Sequence, residues 1–296
     1  MIGPWRIPVK RAVSIFFLIS LLAWSIGADS VEAGSRVDYD AYRKMLARFV
    51  RDGWVDYRSL KRDREKLDGY VKSLSEIDRS AYETWGDKEK VAFWINAYNG
   101  LTLKIVLDNY PIKSSVRLSS FFYPSNSIRQ IPGAWDQITH PIMGRLLTLD
   151  QIEHEILRKQ FNEPRIHFAL VCASRSCAPL RSEPYVGEKL IEQLDDQVKV
   201  FLRDSKKNRF DREERVLYLS KIFQWFGDDF VRRFGNNGFP NHGKKIRAVL
   251  SFISHYLSPK EREFLAWPDL RIEYLPYDWS LNEQAGWKQA NLDAGI

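Results

Sequence analysis

The chain of 296 residues lacks the short motifs that identify several large enzyme classes. It has no P-loop, no GxGxxG fingerprint, no HExxH pair and no GxSxG elbow. Nucleotide-binding, dinucleotide-binding, zinc-protease and serine-hydrolase functions therefore have no support. The chain also lacks internal repeats, Pro/Gly/Ser-rich linkers and low-complexity tracts. Beyond an N-terminal segment, we predict a single domain over residues 34–296.

Long apolar runs are equally scarce, since only AVSIFFLISLLAWSIG at residues 12–27 stands out. Basic residues precede this run and small residues follow it, which is the layout of a secretory signal peptide. We expect residues 1–33 to be this signal, cleaved after Ala28 or Ala33, and the protein to be periplasmic or secreted. The run is short for a membrane span, which needs about 20 apolar residues. An uncleaved anchor is the alternative, and no lipid-anchoring cysteine follows the run.

The net charge and the distribution of charged residues do not identify one class of binding partner. Lys and Arg number 45 against 38 Asp and Glu, for a formal charge of +7. The two signs are interleaved, as in KRDREK at residues 61–66, and this pattern is typical of a solvated helix surface. We expect no nucleic-acid partner, no cofactor and no membrane span once the signal is removed. A small-molecule or peptide substrate of unknown identity fits this composition.

Only two cysteines occur, and both lie in RIHFALVCASRSCAPL at residues 165–180. The β-rich run at 165–171 predicts a strand that ends in a turn. Alternation along such a strand would place His167 and Cys172 on opposite faces. Cys177 would lie beyond the strand end, where reactive groups concentrate on loops held by a rigid scaffold.

Residues 91–107 are apolar almost all round, which predicts a central helix that is buried on most faces. Asn96, Asn99 and Thr102 interrupt it at steps of three and share one stripe. A buried amide without partners costs about 1–3 kcal/mol. These side chains could bond neighbouring backbone and fix the core, or they could line a site that faces Cys177.

A second helix is predicted to begin at Thr148, with Gln151 at the capping-box spacing. On this helix Glu153 falls within the buried face and His154 at its edge. A carboxylate directed at a core needs a partner such as an arginine, a histidine or backbone N–H groups. Glu153 is therefore a candidate functional residue.

Four ordered motifs resemble one known family. They are HFALVCASRSCAPL, AFWINAYNGLTL at residues 92–103, LTLDQIEHEILR at residues 147–158 and YDWSLN at residues 277–282. Together they resemble the bacterial and plant family called domain of unknown function 547, over most of the chain from about Asp40 and with a core at about residues 80–282. The family usually has Ser-Cys-Pro-Pro-Leu where this chain has Ala178 after Cys177. The resemblance implies a domain and no particular reaction.

The first functional hypothesis is a thiol-dependent hydrolase or acyltransferase in which Cys177 is the nucleophile. A thiol needs a base to form thiolate, and the base needs an orienting group. The candidate bases are His154 and His167, and the candidate orienting residues are Glu153, Asp278, Asn96 and Asn99. The candidate binding residues are Asn96, Asn99, Ser174, Arg165, Asp278 and Trp279.

The alternative is a non-catalytic envelope domain in which Cys172 and Cys177 form a disulfide. An exported protein meets an oxidising compartment, and two cysteines are an even count. We do not predict a metal site at His167, Cys172 and Cys177 with His154 as a fourth ligand. Alternation along the predicted strand would place His167 and Cys172 on opposite faces, where they could not bind one ion. The sequence leaves the enzyme and the binding domain both open.

For the fold, we predict the α+β class: a mostly helical single domain around the buried central helix, with a small and mainly antiparallel sheet. That sheet would contain the strand at residues 165–171. Hairpins are expected around Gly144 and between residues 209 and 219, and a further strand at residues 270–275.

Overall fold

The computed structural model describes residues 37–114, 121–235 and 238–284. These residues belong to one compact unit that begins at Val37. The signal-peptide prediction for residues 1–33 lies outside the described residues. Among the helices that are described, none combines the length and the hydropathy that a bilayer span requires.

Helices dominate the described residues and establish the predicted α+β class. The α-helices are α1 Asp40–Phe49, α2 Tyr57–Arg62, α3 Glu65–Glu76, α4 Arg79–Thr84, α5 Asp87–Asn109, α6 Arg158–Gln160, α7 Leu190–Arg203, α8 Lys221–Trp225, α9 Gly227–Phe234, α10 Lys244–Ser254 and α11 Pro259–Leu265. A π-helical segment, Gln151–Leu157, leads directly into α6, and short 3-10 helices occupy Ile128–Gln130, Pro164–Phe168 and Gly187–Lys189.

The strands are short. They are β1 Val50–Arg51, β2 Trp54–Val55, β3 His140–Ile142, β4 Arg145–Leu147, β5 Arg209–Asp211, β6 Val216–Leu219 and β7 Arg271–Tyr274. β1 pairs with β2 and β3 with β4 as separate antiparallel hairpins. β6 is the middle strand of a three-stranded sheet, antiparallel to β5 and parallel to β7. The hairpins and the strand predicted from turn residues and alternation are confirmed.

Helix α5 is the central helix that the apolar run predicted. It is buried along most of its length, from Val91 to Leu107. The Glu89 side chain accepts from the Gly86 backbone N–H at 2.9 Å, which caps its first turn. Helix α3 approaches it so closely that a Cβ at Gly100 would lie 2.7 Å from the Tyr70 ring. Glycine is therefore required where these two helices meet.

Two apolar clusters form the core. One surrounds α5, and the other is rich in phenylalanine and is built mainly from α7 to α11. The segment that holds both cysteines passes between them, since Leu170 and Val171 belong to the first cluster while Phe168 and Ala178 belong to the second. This placement puts the cysteine segment at the boundary between the clusters.

The prediction of a strand at residues 165–171 is wrong. Pro164–Phe168 forms a 3-10 helix, with proline at its first position and the Glu163 side chain accepting from the Arg165 N–H. The backbone beyond it bonds to the side chain of Asn99 rather than to a neighbouring strand. A short apolar run indicates that the segment is buried, but it does not by itself distinguish a strand from other buried backbone. The predicted alternation of side chains therefore does not apply.

Candidate active site

A cavity of about 560 Å³ brings five of the ten candidate site residues together with Cys172. Its volume lies within the range of small-molecule sites, roughly 300–1,000 Å³. The predicted residues that line it are Glu153, His154, His167, Cys172, Cys177 and Trp279. Because the predicted strand does not form, His167 and Cys172 face the same cavity.

The backbone before Cys172 is held by α5. The Asn99 Nδ2 group donates to the Ala169 carbonyl at 2.9 Å, and its Oδ1 accepts from the Val171 N–H at 2.9 Å. Asn96 makes the same pair of bonds to the backbone of Tyr185. Both amides are buried, so they fix neighbouring backbone and do not line the cavity.

The backbone after Cys172 turns sharply. Ala173 has φ of 56°, in the left-handed region that side-chain-bearing residues rarely occupy. Such strain persists only where surrounding structure holds it, and it is common at functional sites. Here the YDWSLN motif holds it: Asn282 N–H donates to the Ala173 carbonyl, Arg175 N–H to Ser280 and Ser176 N–H to Asp278.

Two hydroxyl groups lie within hydrogen-bond distance of the Cys172 sulfur, Ser174 Oγ at 3.2 Å and Tyr277 Oη at 3.3 Å. The Cys177 thiol donates to the Leu170 carbonyl at 3.6 Å, and its sulfur accepts from the Cys172 backbone N–H at 3.0 Å. Burial alone would raise the pKa of the Cys172 thiol. The neighbouring side chains of Cys177, Ser174 and Tyr277 outweigh that effect and lower the pKa below its ordinary value. Cys172 is thus predisposed to be a thiolate.

Cys177 has the opposite character. It is only 5% exposed, whereas Cys172 is partly exposed. Burial raises the pKa of the Cys177 thiol, and the neighbouring Cys172 side chain raises it further. Both residues are free cysteines, and because they are close neighbours a negative charge on Cys172 disfavours a charge on Cys177.

Glu153 presents a second reactive group to the cavity. Burial raises its pKa to about 7, against the opposing effects of a hydrogen bond from Tyr98 and the nearby charge of Arg158. A carboxyl group with such a pKa can both give and accept a proton near neutral pH.

The two histidines belong to a polar network on the cavity wall. Arg158 donates to Nδ1 of His154 at 2.9 Å and holds the Asp229 carboxylate through two bonds of 2.6 and 2.9 Å. His167 Nε2 lies 2.7 Å from the same carboxylate. Burial lowers the pKa of both histidines, so both are neutral at pH 7. In the described part of the chain, neither histidine hydrogen-bonds to a cysteine sulfur, so the predicted thiol–histidine pair does not form.

Other predicted residues lie away from the cavity. Arg165 is buried and pairs with Glu163 and Asp195. Asp278 is exposed and lines a different surface pocket, where its backbone anchors the cysteine turn. Ser174 bonds to the Cys172 sulfur from the side of that turn. Across the described ranges, no group of three or more His, Cys, Asp or Glu side chains has the arrangement of a metal site.

A comparison with protein-family models finds a match over a segment that contains several residues of this site. Residues 82–202 match the model of the family described as protein of unknown function, DUF547. The predicted family resemblance is confirmed. The matched segment includes Glu153, His154, Cys172 and Cys177, and it ends before Tyr277. Neither a curated protein nor a solved structure matches the chain.

Sequence reasoning missed several residues of the cavity, although the DUF547-like motifs contain some of them. In chain order, Tyr98 precedes Asn99 in the first motif and Tyr277 opens the last. Arg158 was also missed; it does not line the cavity but bonds to His154, four residues before it in the chain. Arg129, Trp135 and Trp225 also line the cavity and lie outside the motifs. An i, i+4 spacing on a helix was the available signal for Arg158.

Proposed function

We propose that the protein is a thiol-dependent hydrolase or acyltransferase in which Cys172, rather than Cys177, is the nucleophile. The observation that carries the proposal is that the Ser174 and Tyr277 hydroxyls lie 3.2 and 3.3 Å from the Cys172 sulfur in a cavity of ligand size. A thiolate is the nucleophilic form of cysteine, and donors that favour it activate the residue without a histidine base. We further propose that it acts on a small molecule or peptide after export to the periplasm or beyond.

In the first step, the Cys172 thiolate attacks the carbonyl carbon of an ester, thioester or amide and a C–S bond forms. The bond to the leaving group then breaks, and protonated Glu153 gives its proton to the departing atom. Arg158 occupies Nδ1 of His154, so the neutral ring carries its proton on Nε2. That N–H is a donor for the carbonyl oxygen of the substrate.

In the second step, the Glu153 carboxylate takes a proton from water or from another acceptor nucleophile. The activated oxygen or nitrogen attacks the thioester carbon, and the Cys172 thiolate leaves. Glu153 and Cys172 influence each other, because the charge of Cys172 contributes to the raised pKa of Glu153. The pair therefore starts the cycle as thiolate and carboxylic acid.

The Glu153→Gln variant tests these steps with p-nitrophenyl acetate, whose leaving group needs no acid. We expect acylation to persist, seen as a burst of nitrophenol, while steady-state turnover falls about 100-fold or more because deacylation loses its base. Acetyl-enzyme should then accumulate and be visible in the intact mass.

Glu155→Gln is the matched control, because Glu155 lies two residues away on the same helical segment and is exposed. This variant should retain wild-type turnover. Absence of any burst in the wild-type protein, or equal turnover in the Glu153 and Glu155 variants, would contradict the proposal.

A further inference from the structure

Arg129 lies at the rim of the same cavity, in the 3-10 helix Ile128–Gln130. Its guanidinium carbon is 4.3 Å from the ring centre of Trp279, 5.0 Å from that of Trp135 and 5.3 Å from that of Tyr123. An exposed arginine is ordinarily free to move among rotamers. Three aromatic rings fix this one in the cavity that also holds the proposed catalytic thiol.

Among the described residues, none accepts a hydrogen bond from this guanidinium. Among residues 37–114, 121–235 and 238–284, no carboxylate forms an ion pair with it. Aromatic rings contact the face of a guanidinium, which leaves the in-plane N–H groups available. Those groups match a carboxylate through two parallel hydrogen bonds.

An aromatic surface connects Arg129 with the thiol. The ring centres of Tyr277 and Trp279 are 4.6 Å apart, and those of Trp225 and Tyr277 are 4.8 Å apart. Tyr277 also bonds to the Cys172 sulfur, so this surface runs from the nucleophile to the arginine. Trp225 is 44% exposed, which is unusual for so large an apolar ring and is typical of a surface that contacts a ligand.

We propose that the acyl substrate carries a carboxylate that Arg129 binds, with the intervening chain lying on Trp225 and Tyr277. That the substrate is an acyl compound rests on the proposed function. The binding of a carboxylate by Arg129 does not depend on that function. Asp136 and Asp150 also line the cavity and would repel additional negative charge. The site therefore suits a single carboxylate rather than a polyanion.

Two maleimides of the same size test the subsite. The Cys172 thiolate adds to the alkene carbon of 6-maleimidohexanoate or of its neutral amide, and the adjacent carbon takes a proton from water. The ratio of the two labelling rates at Cys172, read by peptide mass spectrometry, measures the preference for a carboxylate. We expect Arg129→Gln to lower this ratio about tenfold, the effect of losing one charge-assisted contact.

Arg209→Gln is the matched control, because Arg209 is exposed and lies 4.3 Å from the Tyr218 ring outside the cavity. It should leave the ratio unchanged. Arg129→Lys, which keeps the charge but loses the forked donor geometry, should give a ratio between those of wild type and Arg129→Gln. A ratio unaffected by Arg129→Gln overturns the inference even if ester turnover is intact. A lowered ratio supports the subsite even if ester turnover is absent, and that absence counts against the proposed function alone.

Discussion

Cys172→Ala is expected to lower the rate of acetyl-enzyme formation from p-nitrophenyl acetate by about 1,000-fold or more, the scale of removing a nucleophile. The reason is that Cys172 is the proposed nucleophile, and the side chains around it lower the pKa of its thiol and favour the thiolate. Stopped-flow release of nitrophenol, with intact mass to locate the acetyl group, measures the effect.

Cys177→Ala is the informative comparison, since it removes the other sulfur of the same turn. It removes a neighbour that lowers the pKa of the Cys172 thiol, so that pKa should rise toward its ordinary value. At a pH well above this value the acylation rate should therefore remain within a few-fold of wild type. If instead Cys177→Ala abolished acylation and Cys172→Ala did not, the sequence-based choice of Cys177 would be right and the present assignment wrong.

Asn99→Ala should lower the free energy of unfolding by about 3 kcal/mol. The substitution leaves the Ala169 carbonyl and the Val171 N–H without their partner, and each unpaired buried group costs about 1–3 kcal/mol. Equilibrium urea unfolding followed by tryptophan fluorescence gives the value. The same variant should react more slowly at Cys172, because its supporting backbone is released.

Thr102→Val is the control on the same stripe of α5. Among the described residues, the Thr102 hydroxyl bonds only to the Tyr98 carbonyl one turn earlier, and that carbonyl can still accept its helical bond. We expect a loss below about 1 kcal/mol. Equal losses for the two variants would show that the Asn99 contacts do not determine the position of the cysteine segment.

Local patterns predicted much of the fold. The apolar run at residues 91–107 predicted helix α5, and the Thr148–Gln151 spacing predicted a capping box whose two reciprocal bonds are present at 3.0 and 3.2 Å. Both signals depend on residues within one or two helical turns. The segment at 165–171 failed because its backbone partner, Asn99, lies about 70 residues away in the chain.

The sequence motifs identified several residues of the site, but they did not predict how those residues are arranged in space. Glu153, His154 and both cysteines lie in the motifs that carry the family resemblance, and all four residues line one cavity. The sequence-based choice of Cys177 over Cys172 depended on an alternation of side chains along a predicted strand, and that strand does not form. The donors that distinguish them include Tyr277, which lies 105 residues beyond Cys172, and the left-handed turn at Ala173 has no sequence signal because glycine is the residue expected there.

The most direct test of the central claim is the pH dependence of iodoacetamide alkylation at each cysteine, read by peptide mass spectrometry on protein purified without reductant. Thiolate is the reactive form, so the rate rises with pH through the pKa of the thiol. We predict a midpoint near pH 6 for Cys172, as its pKa of about 6 requires, and much slower reaction at Cys177. Faster reaction at Cys177, a Cys172 midpoint near the ordinary thiol value of about 8.5, or no alkylation at any pH because the two sulfurs are bridged, would contradict the account.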